Sequence, residues 1–256
     1  MSAPVAGTVP WAKADPYAVA LRAGRGPLFL RRTDGWLLPL EVERWCARAD
    51  AVDREVLDRC EGAVLDVGCG PGRLVAELVV RGRTVLGVDV SEAAVDRTER
   101  LGGPALRRSV FDPLPGEGRW DSVLLMDGNV GIGGEPRALL ERVTQLLAPG
   151  GLVLVETAPV DVDERAHVQV VDVTDGLADD RPFPWARVGT EALLRYASRA
   201  GLRPVAQWSS GGRRFAALRT RSSDRTSSSA EPPKSTPVSS SQRGRNPAAD
   251  WPVADA

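Results

Sequence analysis

A glycine-rich turn stands where an apolar run gives way to a helical pattern. The run 63–67 ends in Leu-Asp-Val, and the segment Gly68-Cys69-Gly70-Pro71-Gly72 follows it directly. Glycines at such a turn let the backbone bend sharply and let a ligand approach the main chain. The same pattern also serves as a plain connection between a strand and a helix, so its neighbours must decide whether it binds a ligand.

Carboxylates follow the apolar runs that come after this turn. Asp89 ends the second run, Asp112 follows the third, and Asp127 follows the fourth. The carboxyl ends of parallel strands meet at one edge of a sheet, where open α/β sheets bind their ligands. A carboxylate in the position of Asp89 can accept both hydroxyls of a ribose, and the spacing therefore predicts a nucleoside-type site.

The glycine spacing differs from the dinucleotide fingerprint. That fingerprint is G-x-G-x-x-G, whereas here the third position of the frame is Arg73 and the glycines form G-x-G-x-G. The chain also offers no evident catalytic Lys or Tyr–Lys pair. Both features count against an NAD-dependent oxidoreductase and favour a ligand without a diphosphate.

Four segments in order resemble the class I S-adenosylmethionine-dependent methyltransferases. The first motif of that family is similar to Asp66–Gly72 and the second to Gly87–Ser91; the adenine-side acid resembles Asp112, and Leu147–Leu152 resembles the turn into the fifth strand. The resemblance covers roughly residues 62–218 and implies S-adenosylmethionine as the cofactor. The cofactor-binding residues that it suggests are Asp66, Gly68, Cys69, Gly70, Gly72, Asp89, Val90, Phe111, Asp112 and Asp127. For Asp66, bonds to the cofactor's ammonium and simple bracing of the loop are equal alternatives.

A general base is needed only if the methyl acceptor is protonated at neutral pH. The candidates are Asp127, Glu156 at the end of the fifth predicted strand, and His167, the single histidine of the chain. A lone histidine is more often a surface or packing residue. Asn129, in the glycine-rich segment after Asp127, is a further candidate for the site by its position.

The alternation of short apolar runs with helical patterns predicts parallel βαβ units. The expected fold class is α/β, a Rossmann-like three-layer sandwich with a mostly parallel seven-stranded sheet and a C-terminal antiparallel hairpin. Predicted strands cover 63–67, 84–89, 105–110, 121–126 and 152–156, with the hairpin at 202–208 and 213–218. Ser91 and Thr190 are predicted helix caps, and Pro136 is predicted in the first turn of a helix.

Three regions are expected along the chain. Residues 1–61 should form a partly helical cap with one amphipathic helix over 42–60, and residues 62–219 the cofactor-binding domain, with a long insert at 157–188. Within the insert, Val168, Val170 and Val171 suit a small β-element, and Phe183-Pro184-Trp185 could wall a pocket or cover a sheet edge. The Ser-, Thr- and Pro-rich residues 220–256 have little to bury and are predicted to be disordered.

Composition narrows the class of protein. The formal net charge of −1 gives no electrostatic case for a nucleic-acid binder. No apolar run of about 18 residues and no basic leader is present, which predicts a cytoplasmic protein without a membrane span. Cys46, Cys60 and Cys69 lack C-x-x-C spacing, so no metal site is expected.

The sequence therefore predicts a methyltransferase that acts on a small-molecule acceptor. An NAD-dependent oxidoreductase and a non-catalytic, cofactor-binding interaction subunit are the alternatives. The acceptor, the atom methylated and the oligomeric state do not follow from the sequence.

Overall fold

A computed structural model describes residues 15–174, 176–178 and 181–220. The predicted disordered tail lies outside the described residues. The helices are α1 (Pro16–Ala23), α2 (Val42–Cys46), α3 (Ala51–Leu57), α4 (Arg73–Val80), α5 (Glu92–Arg100), α6 (Pro136–Leu146) and α7 (Thr190–Arg199). The strands are β1 (Leu28–Arg32), β2 (Leu37–Leu40), β3 (Val64–Val67), β4 (Val85–Asp89), β5 (Ala105–Arg107), β6 (Trp120–Leu125), β7 (Leu147–Thr157), β8 (Asp163–Asp172), β9 (Leu177–Ala178), β10 (Phe183–Val188), β11 (Leu202–Ser210) and β12 (Arg213–Thr220).

Seven strands form the main sheet, in the order β11-β12-β7-β6-β3-β4-β5. The pairs from β7 to β5 are all parallel, and β12 runs antiparallel to both β7 and β11. Helices α6 and α7 bury their apolar residues on one face, and α3 and α4 pack on the other. The predicted fold class, a three-layer α/β sandwich with a C-terminal hairpin, is confirmed.

A second sheet, in the order β10-β8-β1-β2 with β9 paired to β8, corrects two expectations. The N-terminal region was expected to be a partly helical cap; it contains α1, α2 and α3, but it also contributes strands β1 and β2. The insert was expected to be irregular apart from a small β-element, but it contributes β8, β9 and β10. These strands form by long-range pairing, in which Leu30 lies opposite Val170. The local sequence of neither segment indicates its partner.

Strand register fixes which side chains of the second sheet share a face. Leu30 lies opposite Leu38 on one neighbouring strand and opposite Val170 on the other. Because side chains alternate along a strand and opposed residues share a face, Phe183 and Trp185 lie on the same side. We call this side the inner face; Leu30 and Val170 pack there in a cluster with α1, α2 and α5.

Local boundaries differ from the expected ones for identifiable reasons. The single helix expected over 42–60 is broken into α2 and α3, because Asp50 and Asp53 form a capping box that starts a new helix. Thr190 is the first residue of α7 instead of its cap, and its Oγ1 lies 2.9 Å from Oγ1 of Thr157. Ser91 caps α5 as predicted, its hydroxyl accepting the N–H of Ala94.

Two strands of the main sheet also have other limits than the sequence indicated. β5 ends at Arg107 instead of residue 110, and the chain then turns, with Asp112 donating its N–H to the carbonyl of Ser109. β7 begins at Leu147, before the Pro-Gly-Gly turn, and its pairing with β6 shifts register between Trp120 and Ser122. Within the described ranges, no helix has the length and apolar character needed to cross a bilayer.

Candidate active site

A cavity of about 750 Å³ lies between the carboxyl edge of the main sheet and the second sheet. Its walls come from the ends of β3, β4, β6 and β7, from α1 and α2, and from strands β1, β2, β8 and β10. The volume falls in the range of small-molecule and cofactor sites. The N-terminal region and the insert therefore together enclose the carboxyl edge of the main sheet, where the sequence predicted a ligand.

The glycine loop turns through conformations that disfavour other residues. Gly68, Gly70 and Gly72 all have positive φ, at 70°, 53° and 87°. A side chain at Gly68 would place its Cβ 2.6 Å from Nδ2 of Asn129, which donates to the carbonyls of Val67 and Gly68 at 2.9 Å. The loop is thus held in a shape that brings bare backbone to the cavity.

Asp89 braces this loop while facing the cavity. One of its carboxylate oxygens accepts the N–H of Gly70 and the other the N–H of Ser91, each at 2.9 Å. Burial raises the pKa of Asp89, and these backbone bonds partly offset the increase. A carboxylate offers about four acceptor positions, so both oxygens keep capacity for a ligand's hydroxyls.

Asp66 lies behind the loop without the bonds to loop amides that the sequence suggested. The N–H groups of Gly68 and Cys69 donate instead to the carbonyl of Val88. Oδ2 of Asp66 is buried with no hydrogen-bond partner. Burial raises its pKa to about 7, with the charge of Arg73 opposing the increase.

Asp127 follows β6 with φ of 55°, which makes it the one non-glycine residue with positive φ in the described part of the chain. Its carboxylate lies 2.7 Å from Nη1 of Arg73 and 2.6 Å from Nη2 of Arg44. Its backbone N–H donates to Oε2 of Glu156 at 2.9 Å. Strained backbone at a functional site persists only where surrounding contacts fix it, and here both side chain and main chain are held.

A buried ion network joins these groups to the rest of the fold. Arg73 binds Asp53 through Nε at 2.8 Å and Nη2 at 3.1 Å. Arg213, at the start of β12, binds Asp53 at 2.8 Å and both oxygens of Glu156 at 2.8 and 2.7 Å. The network thereby links α3, the glycine loop, the C-terminal hairpin and the cavity wall.

Neighbouring arginines keep Asp53 and Asp127 ionised. Burial raises the pKa of Asp53, but Arg73 and Arg213 outweigh it and hold that pKa well below its usual value. Burial likewise opposes the ionisation of Asp127, and Arg73, Arg44 and Arg213 lower its pKa overall. Buried charges of this kind are stable only when paired and hydrogen-bonded.

The structure distributes the predicted site residues over three places. Gly68, Asp89, Val90, Asp127, Asn129 and Glu156 line the cavity. Asp66, Cys69, Gly70 and Gly72 form the loop and strand behind that lining.

Three predicted residues belong neither to the lining nor to the loop and strand behind it. Phe111 is 45% exposed and Asp112 is also exposed, because the turn after β5 presents Arg108, Ser109 and Val110 to the cavity instead. His167 is exposed on the face of β8 opposite the inner face. A cofactor role for Phe111 and Asp112 stays a prediction.

Sequence reasoning missed several residues that shape the site. Arg73 was noted only as a missing glycine, yet a cation at the first position of a helix opposes the helix dipole and so signals a nearby acid. Arg44 and Trp45 were assigned only to a helix, and Tyr17 to the cap, but all three line the cavity. Nothing local marks Arg213 or Asp53, which meet only in the folded chain.

Comparison with known proteins adds a family. A protein-family model described as "Methyltransferase domain" matches residues 41–207. The trans-aconitate 2-methyltransferase of Paracidovorax citrulli is 32% identical over 139 residues, 52% of this chain and 50% of that protein. The ubiquinone biosynthesis O-methyltransferase of Acinetobacter baylyi is 31% identical over 102 residues, 37% of this chain and 42% of that protein. The matches thus span half or less of the curated relatives' own length.

Solved structures share the fold. A methyltransferase from Bacteroides fragilis, in complex with S-adenosyl-L-homocysteine, superposes with a TM-score of 0.68 at 22% identity, covering 81% of this chain and 95% of that one. The sugar N-methyltransferase KedS8 from a Streptoalloteichus species gives a TM-score of 0.53 at 19% identity, covering 86% and 99%. At these identities the likeness is one of architecture.

Proposed function

The chain belongs to the methyltransferase domain family, and we propose that it transfers a methyl group from S-adenosylmethionine to a small-molecule acceptor held between its two sheets. The observation that carries the proposal is the enclosed cavity at the carboxyl edge, where the glycine loop and Asp89 meet the second sheet. A neighbour of the same fold binds S-adenosyl-L-homocysteine, the product that this cofactor leaves after methyl transfer.

The main-sheet side of the cavity suits the cofactor. The bare backbone at Gly68 gives close approach, and Asp89 has acceptor capacity for the two ribose hydroxyls. The side chains of Val90 and Val110 line the same part of the cavity and offer apolar cover for a base. No diphosphate needs neutralising, which agrees with a helix that begins at Arg73 instead of a third glycine.

Methyl transfer is an in-line displacement, and the cofactor supplies the activated methyl group. The protein's part is to align the acceptor with that group and to exclude water. Asp127 and Glu156 line the cavity where the ends of β6 and β7 meet it, and their ion pairs fix them there. They are placed to orient an acceptor, while His167 is exposed on the opposite face of its sheet.

Family membership argues against the NAD-dependent oxidoreductase. The non-catalytic subunit is separated from the enzyme by experiment. Calorimetry and thermal unfolding with S-adenosylhomocysteine, and with NAD as the matched control, test the cofactor. At a hundredfold excess over its dissociation constant a bound ligand stabilises the folded state by about 2.7 kcal/mol.

S-adenosylhomocysteine should raise the melting temperature and NAD should not; the reverse result would refute the proposal. Incubation with deuteromethyl-labelled S-adenosylmethionine and a metabolite mixture then tests turnover. An enzyme yields a labelled small molecule, whereas cofactor binding without any labelled product would support the interaction subunit.

A further inference from the structure

The cavity is rich in aromatic side chains. The chain has thirteen aromatic residues, and four of them, Tyr17, Trp45, Phe183 and Trp185, line this one cavity. Phe183 and Trp185 form an edge-to-face pair with ring centroids 6.3 Å apart, and Tyr17 and Trp45 form another at 6.5 Å. Partly buried rings facing an open volume favour contact with another ring.

The remaining lining from the second sheet is almost wholly apolar. Leu30, Leu38 and Val170 contribute from the inner face. Among the described lining residues of this sheet, Arg187 carries the one charge; it binds Glu164 at 2.9 Å and lies over the ring of Trp36. A surface of this kind binds an apolar body and imposes a cost on a charged one.

The carboxylates of Asp127 and Glu156 already form ion pairs within the protein. Both oxygens of Glu156 bind Arg213, and one of them also accepts the backbone N–H of Asp127. Asp127 itself is held by Arg73 and Arg44. Neither is free to take a proton from an acceptor without breaking a buried ion pair.

The other acidic groups on the cavity are also engaged. Asp15 accepts two backbone N–H groups at the start of α1, and Glu41 binds Arg44. Asp89 braces the glycine loop. Burial raises the pKa of Tyr17 well above its usual value and keeps its hydroxyl protonated. Every carboxylate of the described lining therefore already has a partner in the protein, and none is left over as a dedicated general base.

These constraints disfavour an acceptor that must first lose a proton, and the apolar inner face disfavours a carboxylate, which is ionised at neutral pH. A phenolic hydroxyl, with a pKa of about 10, would need a base that the cavity does not offer. An aliphatic amine, with a pKa near that of lysine at about 10.4, is cationic at neutral pH and lacks a free lone pair. An amine or ring nitrogen of an aromatic system keeps its lone pair at neutral pH and carries the flat apolar body that the inner face accepts.

We infer that the acceptor is an aromatic amine whose rings lie on the inner face of the second sheet. The inference rests on the proposed function and names its substrate class. The nitrogen lone pair forms the new N–C bond as the S–C bond breaks, and the electron pair of that bond stays on sulfur. The nitrogen then releases one proton to water, so no side chain needs to accept it.

The test uses two-ring aromatic amines without a ring nitrogen, such as 2-aminonaphthalene, each beside its hydroxyl counterpart and its saturated counterpart. Binding is measured by calorimetry on the full chain saturated with S-adenosylhomocysteine, and methyl transfer by mass gain with S-adenosylmethionine. We expect the amines to bind at least tenfold tighter than the saturated compounds and to be methylated on nitrogen at least a hundredfold faster than the hydroxyl compounds.

Equal binding of aromatic and saturated compounds, no binding across the panel, or faster transfer to oxygen would each overturn the inference. Because binding of S-adenosylhomocysteine is measured first in the same sample, its failure would instead count against the proposed function.

Neighbouring residues on β2 supply a matched control. Leu38 lies on the inner face and lines the cavity, whereas Leu37 is 41% exposed and lies outside the lining. Leu38→Asn should weaken binding of the aromatic amine about tenfold or more, and Leu37→Asn should leave it unchanged. Leu38→Ala repeats the test if the polar variant fails to fold. Equal effects at both positions would remove the inner face from acceptor binding.

Discussion

The ion network predicts that Asp53 strongly stabilises the fold although it lies outside the cavity lining. Its side chain is fully buried and binds Arg73 and Arg213. Asp53→Asn keeps the shape and removes the charge, which leaves the buried guanidinium group of Arg73 and the partly buried one of Arg213 short of a partner. Removing one partner of a buried pair costs about 3–5 kcal/mol of unfolding free energy, and we expect a loss in that range.

Asp58 provides the control at the end of the same helix. It pairs with Arg81, but its side chain is 71% exposed. Asp58→Asn removes the same charge, and an exposed pair contributes about 0–1 kcal/mol. Urea unfolding of both variants, followed by circular dichroism, measures the two losses. If Asp53→Asn loses no more than Asp58→Asn, the network does not stabilise the fold as argued.

A double-variant cycle tests whether the loss comes from the ion pair. Arg73→Met removes the cation that faces Asp53 and Asp127. The double variant with Asp53→Asn should lose less than the sum of the two single losses, with a coupling of about 0.5–3 kcal/mol, as for residues in direct contact. Additive losses would show that the two side chains act independently.

Three further outcomes follow from the loop and the strand ends. Asp89→Asn should weaken S-adenosylhomocysteine roughly ten- to a hundredfold by calorimetry, since bonds to a charged acceptor contribute about 1.5–3 kcal/mol; unchanged affinity in a folded variant would refute ribose binding. Gly68→Ala should lose more stability and ligand affinity than Gly82→Ala. Both glycines have positive φ, but only a Cβ at Gly68 meets another side chain, that of Asn129. Equal losses would show that backbone strain alone causes them. The pKa of Asp66 is raised from 3.8 to about 7, so the folded state binds more protons and its stability falls as pH rises from about 4 to about 7. Relative to the parent protein, Asp66→Asn should therefore become more stable to urea as the pH rises through that window. A difference in unfolding free energy that does not change with pH would contradict the assignment.

The main sheet could be predicted from the sequence because its signals are local. Each buried parallel strand is a short apolar run beside a helical pattern, and Gly68, Gly70 and Gly72 mark the turn between strand and helix. The same locality placed Asp89 and Asp127 at strand ends, since a parallel sheet brings those ends to one edge. Six of the predicted site residues line the cavity for this reason.

The second sheet and the ion network were decided only by tertiary structure. Leu30 pairs with Val170, which is far from it in the sequence. The periodicity of either segment does not indicate which segment it pairs with. Arg213 reaches Asp53 in the same way, 160 positions apart. Periodicity and turn chemistry depend on residues that are close in the sequence, whereas these contacts depend on which surfaces meet once the sheet has formed. Local sequence signals therefore predict the parallel sheet and its carboxyl edge, whereas long-range contacts set the shape, the polarity and the ion pairs of the cavity beside that edge.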